Sequence, residues 1–407
     1  MTNSTGIKPI FSFAANAKNS KIRMESRIKA LTRIPREIKY IFLLFLSTRF
    51  FLTVIGLISR KLINPLFSGG YPIPTKYHLL SIWGMWDSNW YLRLARDWYP
   101  ATTDLTHQSN FGFFPIYPLL IRLLGSVIKD FYLSGLIVSN VLLITGAFFL
   151  YKLVRLNYND ETAMRSVKYL FLFPTAFIFS GIFSESLFLT LAIVCFYCAK
   201  RGKWLFSGVF GLFLSMTRVY GVLIIFPLLY EYAKANEFKP NRIKVDVLYF
   251  LLIPAGLLIF FFYCHYLTGN FFAFFHVKCN GWGHVLFNPL VNLKNGLSGT
   301  RITYPSTFPY FSLYLTITAI FALSFFIKRI GFSYWLFSMC LVFVPLASGS
   351  TGVFYSMLRY ILPAFPLYVL IAEGTDDQKD DQIFTISFSM LQGFFMAIWV
   401  NGFQFII

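Results

Sequence analysis

A succession of apolar runs, some long enough to cross a membrane and several shorter, dominates this sequence. The first runs from Tyr40 to Ser59, about the ~20 residues a hydrocarbon core requires. Further runs lie near residues 131–151, 168–184, 185–199, 204–217, 218–233, 246–267, 306–327, 331–347, 359–372 and 383–401. Runs that touch end to end can form helical hairpins, giving an expectation of 11 transmembrane helices. With 57% hydrophobic and 13% charged residues and a mean hydropathy of +0.61, the chain carries far more apolar surface than a soluble domain can bury. The fold class is an all-α polytopic membrane protein, because only helices or closed barrels satisfy the backbone in lipid.

A net charge of +19 would suit a nucleic-acid binder only if it formed a basic face on a soluble module. Here it sorts by position. Residues 1–39 hold nine Lys or Arg against Glu25 and Glu37, and read as a basic cytoplasmic segment; an organelle transit peptide is the rival. Residues 40–407 form one multi-pass domain, with a long first outer loop at 60–130 and a second at 268–305. The run 113–128, "FFPIYPLLIRLLGSVI", holds Pro115, Pro118 and Arg122, and suits an interfacial helix better than a span. That assignment places 23 of the 36 basic residues inside; the alternative turns two basic clusters outward.

The five cysteines offer no metal or disulfide framework. Cys195 and Cys198 have CxxC spacing, but lie in an apolar run without a second ligand pair, where thiols pack as small hydrophobes. No clustered His or carboxylate residues point to a metal. Few cysteines favour a bacterial plasma membrane over an endoplasmic reticulum.

On this topology the distinctive motifs "WDSNWY", "SGIFSES", "SMTRVYG", "FFAFFHVKCNGWG" and "SMLRY" all reach the outer side, as parts of one site built from separate loops. Their aromatic residues alone would serve equally as interfacial anchors. The charges resist that explanation better. Five acids reach the outer side: Asp87, Asp97, Asp104, Asp130 and Glu185. Asp87 sits beside Trp86 against an apolar surface, where an acid is costly unless solvated in a cavity or paired, and where it can act as a general base. Asp97, ten residues on, need not share its face. Glu185 is a substrate-binding candidate, or a helix N-terminal acid favoured by the macrodipole. Arg218 and Arg359 suit phosphate, or snorkel to lipid headgroups. Arg49, midway along the first span, requires an interior partner that the sequence does not name.

In this order, "WDSNWYLRLA", "FFPIYPLLIRLL", "FPTAFIFSGIFSESLFLTLA", "SMTRVYG" and "LRYILPAFPLYVLIA" resemble the PIG-V family, the GPI mannosyltransferase 2 group and its bacterial relatives. The resemblance runs from about residue 83 to 372. It implies a GT-C glycosyltransferase fold whose first outer loop carries an essential Asp, here Asp87, with Glu185, Arg218 and Arg359 at other motif positions. It implies a polyprenyl-phosphate (dolichyl-phosphate-like) sugar, most simply mannose, as donor substrate with no further cofactor. A lipid or glycan would be the acceptor, on the extracytoplasmic face. Eukaryotic members add the second mannose of the GPI precursor. Asp87 would then be the base, and Arg218 and Arg359, with His276 or Lys278, would meet the phosphate. Trp86 and Tyr91 join Glu185 as substrate-binding candidates from the same motifs. A transporter or flippase of lipid-linked sugars could use the same charges, but no internal repeat is visible. A stabilising subunit of an enzyme is the third reading.

Overall fold

A computed structural model describes residues 34–63, 73–286, 288–298, 309–349 and 356–403. Its helices are α1 (Arg36–Leu62), α2 (Ser88–Asp97), α3 (Ile116–Ile128), α4 (Phe131–Val154), α5 (Asp160–Leu172), α6 (Glu185–Lys200), α7 (Trp204–Ser215), α8 (Ile225–Ala235) and α9 (Leu252–Thr268). They continue as α10 (Ala273–Trp282), α11 (Pro289–Leu297), α12 (Pro309–Phe325), α13 (Ile327–Ile330), α14 (Phe332–Ala347), α15 (Met357–Ile361), α16 (Pro366–Gly374) and α17 (Gln378–Val400). A two-residue antiparallel pair joins β1 (Val285–Leu286) to β2 (Ser348–Gly349).

Four helical stretches among the described residues are long and apolar enough to cross a membrane: Arg36–Leu62, Phe131–Val154, Val245–Thr268 and Gln378–Val400. The remaining runs are shorter than a straight span, and several break. Run 168–184 leaves the helix after Leu172 and tightens into a 3₁₀ turn at Ala176–Ser180, because Pro174 follows Phe173. Run 359–372 divides into α15 and α16 around Pro363 and Pro366. Run 113–128 yields the 13-residue α3, about 20 Å at ~1.5 Å per residue, too short for a ~30 Å core. It buries Tyr117, Ile121 and Gly125 and exposes Leu123 and Val127.

At the centre stands α6, buried almost all round between α4 and α7, as an evenly apolar helix should be. Small and hydroxylated residues allow the close packing. Thr190 donates to the Leu142 carbonyl at 2.7 Å, Ser207 to Cys195 at 3.0 Å and Ser215 to Ile253 at 2.6 Å. Around this core α1 leaves Phe42, Leu46, Phe50 and Phe51 exposed, a surface fit for lipid.

Arg49 is buried, and among the described residues its partner is not a carboxylate. Nη2 donates to the Ala176 carbonyl at 3.2 Å, and the guanidinium lies 5.7 Å from the Phe171 ring and 6.0 Å from the Phe45 ring. At the C-terminal end of α6, Lys200 pairs with Glu231 at 2.7 Å. Lys168 of α5 pairs with Asp381 of α17, which also accepts from the Tyr169 hydroxyl. All five cysteines are free.

Candidate active site

The N-terminal end of α6 gathers four charged side chains from chain segments far apart. Backbone contacts draw the segments together. The Ile182 amide donates to the Trp83 carbonyl at 3.3 Å, joining the turn before Glu185 to the loop before Asp87. Arg60, at the end of α1, steadies that loop: Nη1 donates to Ser81 Oγ at 2.9 Å and Nε to the Val400 carbonyl at 3.2 Å. Tyr220 packs on Tyr360 with ring centres 5.2 Å apart, linking the Arg218 and Arg359 segments.

Helix capping shows what the site requires. Asp87 precedes α2 and Ser184 precedes α6, positions where each side chain would ordinarily accept from a first-turn amide, yet neither does so. Asp87 Oδ2 instead takes Arg359 Nη1 at 2.7 Å. Ser184 Oγ accepts from Arg218 Nε at 2.9 Å and bonds the Tyr91 hydroxyl at 2.9 Å. Trp86, just before Asp87, has φ 53°, and Ser356, three residues before Arg359, has φ 57°. Left-handed backbone at such residues is costly, and it flanks the site on both sides.

Glu185 is the hub. Its Oε1 accepts from Arg359 Nε at 2.7 Å and lies 2.6 Å from Arg218 Nη2. The glutamate is fully buried, whereas the Asp87 side chain keeps 26% of its surface exposed. Of the two carboxylates, therefore, only Asp87 is open to an incoming molecule. Arg218 also donates through Nη1 to the Tyr220 hydroxyl, and Arg359 lies 4.8 Å from the centre of the Phe183 ring. Glu185 Oε2 and the Trp86 indole N–H are buried without a hydrogen-bond partner among the described residues.

A second group flanks the first. Lys278 of α10 lies 4.4 Å from the Trp282 ring centre and 5.1 Å from that of Phe113. Trp90 stacks on Phe113 at 5.7 Å and meets Trp282 edge-on at 5.5 Å. The helix approaches closely because Gly112 lies beneath Trp282; a Cβ there would be 2.6 Å from Cζ3 of the indole. Burial pushes the Lys278 ammonium down to about 8; the Asp87 charge opposes this, while Arg359 and Arg218 add to it. Burial, then the Lys278 charge, pushes His284 down to about 4 against the pull of Asp87, leaving a neutral imidazole at neutral pH.

Of the residues singled out from sequence, the structure thus joins Asp87, Glu185, Arg218, Arg359 and Tyr91 in one hydrogen-bonded network. Trp86 adjoins it and Lys278 flanks it. It does not bring His276, which is exposed on α10, into that network. Asp97 is likewise exposed and pairs with Arg96 at 3.1 Å. Sequence reading passed over Ser184 and Tyr220 as contributors, and did not single out Phe113, Trp90 and Trp282. Among the described residues no group of three or more His, Cys, Asp or Glu side chains could hold a metal ion. The arrangement offers an accessible carboxylate backed by two guanidinium groups and one amine.

The helical membrane bundle that carries this cluster at one end has a GT-C-like fold, as a comparison of folds shows. The chain is similar to ArnT from Cupriavidus metallidurans, in a crystal structure bound to undecaprenyl phosphate, with a TM-score of 0.52 at 9% identity over 89% of this chain and 76% of that one. An oligosaccharyltransferase from Archaeoglobus fulgidus follows, with a TM-score of 0.44 at 11% identity over 88% of this chain and 55% of that one. No curated protein matches the sequence. Residues 40–281, more than half of the chain, match the family model described as mannosyltransferase (PIG-V), and the chain belongs to that family. It is a glycosyltransferase.

Proposed function

We propose that the protein transfers a sugar, most simply mannose, from a polyprenyl-phosphate donor to a hydroxyl of a lipid or glycan acceptor on the extracytoplasmic face of its membrane. The observation that carries this reading is the ion-paired cluster itself: one reachable carboxylate, Asp87, 2.7 Å from a guanidinium that a second, buried carboxylate also holds. Asp87 takes the acceptor proton as the acceptor oxygen bonds to the anomeric carbon. The bond from that carbon to phosphate breaks, and its electron pair stays on the phosphate, where Arg218, Arg359 and Lys278 offset the new charge. The family supports the sugar. The undecaprenyl phosphate bound to ArnT supports a lipid phosphate as carrier. The basic N-terminal segment supports a site facing away from the cytoplasm, and few cysteines support a bacterial plasma membrane.

The test is transfer of radiolabelled mannose from its polyprenyl phosphate into a membrane-lipid extract by the purified single chain. Asp87→Asn is expected to lower the rate by about 10²–10⁴-fold while insertion stays normal. Wild-type turnover by the variant would remove Asp87 from the role. Donor crossing the bilayer of reconstituted vesicles, with no transfer, would make the protein a flippase.

A further inference from the structure

Resting on the reading above, the inference concerns what Arg359 does between its two carboxylates. It is buried, with Nε on Glu185 and Nη1 on Asp87, each at 2.7 Å. Glu185 is sealed from solvent and shared with Arg218, so no substrate proton reaches it. Asp87 is open. Arg359 therefore lies between one anion that keeps its charge through the reaction and one whose charge the reaction cancels.

We propose that Arg359 couples the two halves of the transfer. When Asp87 accepts the acceptor proton it becomes neutral, its hold on Nη1 weakens, and that donor turns to the phosphate oxygen receiving the electron pair. The acceptor O–H bond and the bond from anomeric carbon to phosphate break; the bond from anomeric carbon to acceptor oxygen and the Asp87 O–H bond form. One unit of negative charge moves from Asp87 to phosphate, and the Arg359 hydrogen bond follows it. No co-reactant is needed. Throughout, Glu185 keeps Nε fixed, which makes it a positioning residue. Arg218 is the internal control: it bonds Glu185, Ser184 and Tyr220 and makes no ion pair with Asp87.

Asp87→Asn imitates the neutral state, so it reads the coupling without turnover. Equilibrium binding of radiolabelled polyprenyl phosphate, the product, is measured on the full-length protein in nanodiscs at fixed ionic strength. Asp87→Asn is expected to bind it about 10-fold more tightly than wild type, the scale of a charge-assisted hydrogen bond. That gain should vanish when Arg359→Gln is present in both proteins compared, and persist when Arg218→Gln is. Should Arg359→Gln fail to insert, Arg359→Lys serves: its ammonium keeps the pair with Glu185 but has no second arm, and the gain is again lost. A gain that survives at Arg359 shows simple relief of repulsion between Asp87 and phosphate, and overturns the coupling. No gain at all also overturns it. If wild type and every variant fail to bind polyprenyl phosphate, the donor reading falls instead.

Discussion

Asp87 lies where a helix-capping residue belongs and does not cap. Such a local departure from good helix chemistry is expected where function overrides it. The charged members of the site were legible in the sequence for one reason: an ionisable group in an apolar run is costly, so it announces a partner. Ser184 and Tyr220 carry no such anomaly, and their part emerges only when Arg218 is placed between them. His276 and Lys278 could not be separated by composition, but they are two residues apart on a helix, about 200° around its axis. Lys278 meets Trp282, one turn further on, and His276 is exposed. Lys278 also gives the site its pH dependence. Its ammonium loses the proton as pH rises through about 8, so donor KM should rise above that pH while kcat changes less. Lys278→Arg should keep donor KM flat to higher pH, and Lys278→Ala should raise it about 10-fold at pH 7. A donor KM that ignores pH between 7 and 9 in the wild type would remove Lys278 from phosphate binding.

Among elements, apolar runs marked where helices lie better than where they stop. Pro174, Pro363 and Pro366 lie inside runs that hydropathy joins, and each falls where a helix ends or restarts. The docking of α10 on the segment before α3 was not legible at all, because it joins residues about 170 positions apart through glycine contacts. Gly112 admits the Trp282 ring, and Gly281 meets the backbone of Gln108, to which a Cβ would come within 2.6 Å. Gly112→Val should displace Trp282, and with it Lys278, leaving Asp87, Glu185 and the two arginines in place. The expected result is a donor KM raised at least about 5-fold with Tm lowered by only a few degrees. Unchanged KM with a large fall in Tm would make the contact purely structural.

For the whole molecule, the charges at the N-terminal end of α6 tie together segments around residues 87, 185, 218 and 359. Glu185→Ala leaves two guanidinium groups facing each other without their shared anion. Removing one partner of a buried pair destabilises by about 3–5 kcal/mol, so Tm in detergent should fall clearly and transfer should cease. Asp97→Ala, at an exposed acid paired with its neighbour Arg96, should leave both nearly unchanged. Equal Tm values for the two variants would show that the cluster does not hold the bundle together.

The ion pair of Arg359 with Asp87 crosses 272 residues of chain. Since the ribosome delivers the N-terminal part first, Asp87, Glu185 and Arg218 enter the membrane well before Arg359 exists. During that interval Glu185 has Arg218 alone, and Asp87 waits without its guanidinium. The charged site is thus closed by one late residue. A chain that stops short of it leaves the Asp87 carboxylate without the guanidinium that pairs with it in the finished protein, so the charge balance of the site is set only when the C-terminal part of the domain is in place.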